Sequence, residues 1–328
     1  MASFLRRTFS RLTLSRARAQ HSGVQEDSKE AADSDWVLLV LWKVYRRAED
    51  AASDSFTRGE MSLWNVEITS FDPLDSRKPD KTSCLDPAAY FVPLPMDVHE
   101  KHPRIVDKET EDHLNLYQKT LAPNYSPYRN GILRDPEGRA TSLAARFRYE
   151  MSISRKDLDP EYGDTTLRFA TKWRSETNFH IDGFPDREVR SGRGLYAAND
   201  IFVNSKHPHV KVILSNAVRP EKDDDLLRSE LLVILAAMHS RLRVESFLDH
   251  VIMPVMVFSF MPPSHVRVLM AIFDGQKIRI SMSGLMPCSA TSQDLYDTLV
   301  RYLAGGTNPK VDTKKFPVHP VARHMEEL

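Results

Sequence analysis

The chain has 328 residues, 41% of them hydrophobic, enough to bury a substantial core in one or two domains. Lys plus Arg equals Asp plus Glu at 45 each, a balance that argues against bulk nucleic acid as a partner. Two cysteines, Cys84 and Cys288, exclude by count a disulfide framework or a cysteine-based zinc site, and make a reducing compartment the default.

The first 22 residues, "MASFLRRTFSRLTLSRARAQHS", carry Arg6, Arg7, Arg11, Arg16 and Arg18 and no acid; the first acidic residue is Glu26. On a helical projection Phe4, Leu5, Phe9 and Leu12 share one side, with Arg6, Arg7, Arg11 and Arg18 away from it. An amphipathic, Arg- and Ser-rich, acid-poor start has the composition of a mitochondrial transit peptide, so the matrix is the expected location, with the cytoplasm as the alternative. Arginines interrupt every apolar run, which argues against a secretory signal. Without residues 1–22 the chain has 40 basic against 45 acidic residues, a mildly acidic body. No transmembrane segment is expected: the runs Trp36–Trp42 and Leu231–Met238 fall far below the ~20 residues a bilayer needs.

Residues 23–34 are polar and acidic and read as a linker. Asp35 then caps a predicted helix over 36–48, whose Arg46 and Arg47 suit the negative end of the helix dipole. "SLWNVEITSF" (62–71) resembles a strand. Residues 72–105 carry Pro73, Pro79, Pro87, Pro93, Pro95 and Pro103 and read as mostly irregular. Apolar spacing predicts helices over 107–121 and 139–151. "TLRFATKW" and "LYAANDIFV" are strand-like.

The C-terminal third is more regular. "HVKVILSN" (209–216) reads as a strand. Asp223, Asp224 and Asp225 open a predicted helix that runs to Arg243 and is apolar on all sides between Leu231 and Met238, so it is expected buried, with Glu230 just before the apolar centre. "MPVMVFSF" (253–260) is a strand, "MPPS" a turn, and "HVRVLMAIFDGQKIRISMSG" (265–284) a hairpin. Thr291 with Asp294 resembles a capping box for a last helix that Gly305-Gly306 stop. In the hairpin, Asp274-Gly275 favours a two-residue turn, which pairs Phe273 with Gln276, Ala271 with Ile278, Leu269 with Ile280 and Arg267 with Met282. Leu269, Ala271, Phe273, Ile278 and Ile280 then share a core face. The second arm alternates, and reads as an edge strand guarded by Lys277 and Arg279.

The runs "RSELLVILAAM" (228–238) and "HVIMPVMVFSFMPPSHVRVLMAIFDGQKIRISMSGL" (250–285) resemble a group of uncharacterised proteins of filamentous fungi. There a buried helix precedes a similar strand pair with a His-x-Arg-Val-Leu start and an Asp-Gly turn. The resemblance covers roughly residues 196–305 and implies shared packing; no activity or site residue comes with it. Here "SGLMPCSA" follows the hairpin, where the group often has an aromatic and an acidic residue.

Two chemical readings stand beside a non-catalytic one. A restriction-endonuclease-like protein would match a helix bearing Glu230 followed by a β meander. That chemistry needs an acid on one strand and acid-x-Lys on the next, to hold magnesium and polarise water. The meander offers only Asp274, in its turn; Asp312-Thr313-Lys314 lies in a Pro-containing tail. Such a relative would be degenerate. An iron- and 2-oxoglutarate-dependent oxygenase would use His180, Asp182 and His265 as the metal triad and Arg279 with Ser281 for the co-substrate. The hairpin parity opposes it, placing His265 and Arg279 on opposite faces. "HPH" (207–209) and "HEKH" (99–102) lack supporting ligand spacing and read as surface histidines. "SGRG" (191–194) is too short for a phosphate loop.

The expectation is therefore an α+β protein in which a mixed or antiparallel β meander packs on a buried helix behind an irregular N-terminal third. One domain spans 35–306, clearest over 205–306, with an irregular tail over 307–328. No cofactor and no nucleic acid is expected. The expected function is non-catalytic, through contacts with a protein partner.

Overall fold

A computed structural model of the chain describes residues 26–74, 84–121, 136–158, 166–175, 188–191 and 194–318. The elements in chain order are α1 (Glu26–Asp50), β1 (Ser55–Phe56), α2 (Arg58–Ser62), β2 (Val66–Phe71), β3 (Phe91–Val92), α3 (Val98–Lys101), α4 (Lys108–Leu121), α5 (Pro136–Glu150), α6 (Leu167–Ala170), β4 (Trp173–Ser175), β5 (Glu188–Ser191), β6 (Gly194–Asn204) and β7 (Val210–Asn216). They continue with β8 (Leu226–Leu227), α7 (Arg228–Arg241), β9 (Val255–Met261), β10 (His265–Phe273), β11 (Ile278–Ser283), β12 (Met286–Pro287), α8 (Gln293–Ala304) and β13 (Gly306–Thr307).

The protein is α+β, built on a nine-stranded mixed sheet in the order β2-β11-β10-β9-β7-β6-β4, with β12 added to β10 and β5 to β6. Two neighbour pairs, β2–β11 and β7–β9, are parallel; the other pairs are antiparallel. β7 and β9 are joined through α7, the crossover that parallel neighbours require. β7, β9 and nearly all of β10 are buried on both faces, which explains their unbroken apolar runs. One face, with Val212, Val257, Leu269, Ala271 and Ile280, packs under α7 and α1. The other, with Ile213, Phe258, Val268, Met270 and Ile272, packs under α5 and α8. α7 is buried along its whole length, as its all-round apolar centre requires: it lies between the sheet and α1.

Several expectations shift. Residues 26–34, read as linker, belong to α1, so Asp35 sits inside a helix rather than capping one. Residues 62–71 divide between the end of α2 and β2. There Thr57 and Glu60 form a reciprocal capping box, and Asn65 takes a φ of 58° between the two elements. "TLRFATKW" holds a helical turn before β4. α7 starts at Arg228, not at the aspartates, because Leu226 and Leu227 first pair with Phe56 and Ser55. Ser292 takes the N-cap position of α8 without a side-chain cap, in place of the expected Thr291–Asp294 box. Gly305 does end α8: a Cβ there would lie 2.4 Å from the Val92 carbonyl oxygen. Residues 307–318, read as a tail, return to the core through Phe316, which meets Phe273 edge-on.

The hairpin turns one residue later than expected. Phe273 pairs with Ile278, Ala271 with Ile280 and Leu269 with Met282. Gly275, at φ 101°, and Gln276 form the turn, because Asp274 Oδ1 accepts from the N–H groups of Gln276 (2.8 Å) and Lys277 (2.7 Å). The register moves by two, so every side chain keeps its expected face. β11 is not an edge strand. It lies between β10 and β2, and among the described residues β2 is the edge.

Candidate functional site

The C-terminal ends of β7 and β9 and the first turn of α7 meet at one end of the sheet. In open α/β sheets that end is where ligands gather. Glu230 and Arg267 face each other there, both fully buried. Arg267 Nε donates to Glu230 Oε1 at 2.8 Å, its Nη2 donates to Oε2, and its Nη1 donates to the Asp223 carbonyl at 3.2 Å. Glu230 Oε2 also accepts from Leu227 N–H at 2.9 Å, closing the start of α7. Beside them Asn216 donates to Ser259 Oγ (2.9 Å) and accepts from the Ser229 hydroxyl. Every one of these polar groups is used by a neighbour. The strands β9, β10 and β11 carry no acidic residue. The carboxylate a metal-dependent nuclease would need is therefore held by a guanidinium, with no second acid on the adjoining strands.

Arg279 lies on the opposite face and is 19% exposed, between the buried Asp274 carboxylate and Glu67 of β2 (2.9 Å to Nη1). Lys277 also reaches Glu67 at 3.2 Å. Both residues, read as guards of an edge, instead fasten β2 to β11. His265 opens β10, partly exposed; burial and Arg219 lower its pKa, while Asp223 raises it. The structure thus keeps His265 and Arg279 on opposite faces. His180 and Asp182 lie outside the described residues. Among the described residues no group of three His, Cys, Asp or Glu side chains is arranged to hold a metal ion.

Lys211 and His209 are among the buried basic groups that escaped the sequence reading. Lys211, in the middle of β7, has its ammonium among the carbonyls of Tyr302 (2.8 Å), Leu303 (2.9 Å) and Gly305 (2.6 Å), 3.9 Å from the centre of the Trp173 ring. Burial draws its pKa below the ordinary lysine value; three acceptors at the negative end of α8 and the π face oppose that pull. Lys211 thus closes the C-terminus of α8. The signal was a lone lysine inside an apolar strand. His209, read as a surface histidine, is also buried. Its Nε2 meets the Tyr90 carbonyl at 3.1 Å, and burial pushes its pKa down to about 3.

An apolar hollow of about 20 Å³ lined by Val40, Val44, Trp64, Phe273 and Ile278 has room for about one water molecule and not for a metabolite. At the edge of the sheet the situation differs. Asn65 C=O accepts from Ile278 N–H, so alternation along β2 turns the N–H and C=O of Val66, Ile68 and Ser70 away from β11. Leu63 and Leu74, which flank β2, are 77% and 58% exposed. Comparison with protein-family models, curated proteins and solved structures gives no match, so the functional reading rests on this geometry.

Proposed function

We propose that the protein is non-catalytic and acts through contact with a partner protein that adds an extended strand to β2. The observation that carries this reading is the edge itself. β2 is six residues long and contains no proline, its one acid, Glu67, is engaged by Arg279 and Lys277, and exposed leucines flank it. Sheet edges that are not meant to pair are normally blunted by charge, proline or a bulge. The pairing of Glu230 with Arg267 and the seating of Lys211 at the end of α8 support the same reading. A photo-crosslinking residue at Ser70 is expected to give a discrete covalent adduct with a second protein in cells, and Ile68→Pro, which removes an outward-facing N–H together with a partly buried side chain, is expected to abolish it. A Ser70 probe that gives no adduct overturns the proposal. Micromolar 2-oxoglutarate binding in the presence of iron, lost on Arg279→Ser, would overturn it in favour of an oxygenase using His180, Asp182 and His265. Magnesium-dependent DNA cleavage would overturn it in favour of a nuclease.

We also propose that residues 1–22 direct the chain to the mitochondrial matrix, on the strength of their acid-free, Arg-studded amphipathic pattern. A fluorescent fusion is expected to enter mitochondria, and replacement of Arg6, Arg7 and Arg11 by Glu to leave it outside. A wild-type fusion that stays diffuse in the cytosol overturns this.

A further inference from the structure

A second cluster of ionisable groups lies away from the sheet ends, where the segment 97–106 crosses from α3 toward α4. His99 is its centre. Arg155 Nη1 lies 2.9 Å from His99 Nδ1, and His99 Nε2 lies 2.9 Å from the Asp297 carbonyl oxygen. A guanidinium only donates and a carbonyl only accepts, so His99 must be neutral, with its proton on Nε2. Arg155, fully buried, also donates to the His102 carbonyl at 3.1 Å. Arg104 donates to both Asp297 carboxylate oxygens at 3.1 Å and lies 3.4 Å from Glu150. Arg146, stacked 4.7 Å from the Tyr296 ring centre, pairs with Glu150 at 2.6 Å. The cluster joins the 97–106 segment to α5 through Glu150 and Arg146 and to α8 through Asp297.

The balance is already short of negative charge. Arg104, Arg146 and Arg155 face only Glu150 and Asp297, and Arg155 Nε and Nη2 have no hydrogen-bond partner among the described residues. A proton on His99 Nδ1 would remove the acceptor of Arg155 and set a second cation against it in a half-buried site. We propose that His99 is an acid-sensitive latch: its neutral form holds the 97–106 segment against α5 and α8, and proton uptake in mildly acidic conditions releases that segment together with α4. The exposure of α4 makes the release local, since most of its residues already face solvent and only a few, Leu121 among them, enter the core. Burial lowers the His99 pKa ahead of Arg155 and Arg104, while Asp297 opposes them.

Hydrogen exchange of the full chain, corrected for the intrinsic pH dependence of amide exchange, tests this between pH 7.5 and 5.0. Peptides covering 97–121 are expected to lose protection several-fold as His99 takes up its proton. His99→Gln keeps an acceptor for Arg155 and a donor for Asp297 without titrating, and is expected to hold protection across the range. Equal losses in both proteins, or no loss in wild type, overturn the latch. If the variant does not fold, the ¹⁵N shifts of wild-type His99 decide. A neutral ring protonated at Nε2 at pH 7.5 that charges only below pH 6.5 supports the proposal, and a ring already charged at pH 7.5 overturns it.

Discussion

Glu230 and Arg267 are the most consequential pair of side chains in the interior. Each alone would be an uncompensated buried charge, and together they fix the first turn of α7 to β10. Removing one partner leaves the other buried, so Glu230→Gln or Arg267→Met alone is expected to cost ~3–5 kcal/mol in urea denaturation. The double variant Glu230→Leu/Arg267→Met, which removes both charges, is expected to recover most of that loss. Were the two single losses to sum in the double variant, the pair would not be coupled. The sequence reading marked Glu230 ahead of an apolar helix centre, but it named Arg267 only as a cross-strand partner of Met282 and did not foresee its burial. Nothing in the sequence joins positions 37 residues apart, so the pair was not legible. Lys211 and His209 were hidden for a related reason: their partners are backbone carbonyls of distant segments, and carbonyls have no residue signature.

At the level of elements, α7 and strands β7, β9 and β10 were legible because burial on all sides leaves an unbroken apolar run, and β11 because its arm alternates. Leu235, midway along α7 and fully buried, lies against this sheet. Leu235→Ala is expected to cost ~2–5 kcal/mol from lost burial and the cavity left behind. A thermal melt unchanged from wild type would mean that α7 is exposed there. The turn was legible to within one residue: Asp-Gly can supply both central positions, or Asp can precede them and let Gly275 take the positive φ. The Asp274 side chain, which bonds Gln276 and Lys277, decides for the second. The parallel pairing of β2 with β11 was not legible. Short apolar runs far apart carry no register, and without β2 the second hairpin arm reads as an edge. Arg279 and Lys277 therefore changed meaning, from guards against pairing to ties that hold a pair.

At the scale of the whole molecule, four histidines among the described residues, His99, His209, His250 and His265, have pKa values drawn below the ordinary histidine value by burial. The folded state therefore binds fewer protons than the unfolded chain once pH falls below about 6.5, the unfolded value. The stability these groups contribute is complete above that pH and is lost as pH falls toward each folded value. For His209, whose folded value is about 3, the loss continues across that window at ~1.4 kcal/mol per pH unit. Denaturation midpoints are expected to fall steadily from pH 7 to 4, and His209→Gln to flatten the slope; a slope unchanged in that variant would remove His209 from this account. The sheet also has a consequence in time. Glu67 of β2 and Arg279 of β11 are 212 positions apart, so β2 cannot be paired when it leaves the ribosome. At ~5–20 residues per second it waits roughly 10–40 s for its neighbour to be made. α1 waits likewise for α7, on which it packs. Through that interval the N-terminal part of the chain presents apolar surface whose packing partners are not yet made, and its folding is post-translational in all but name.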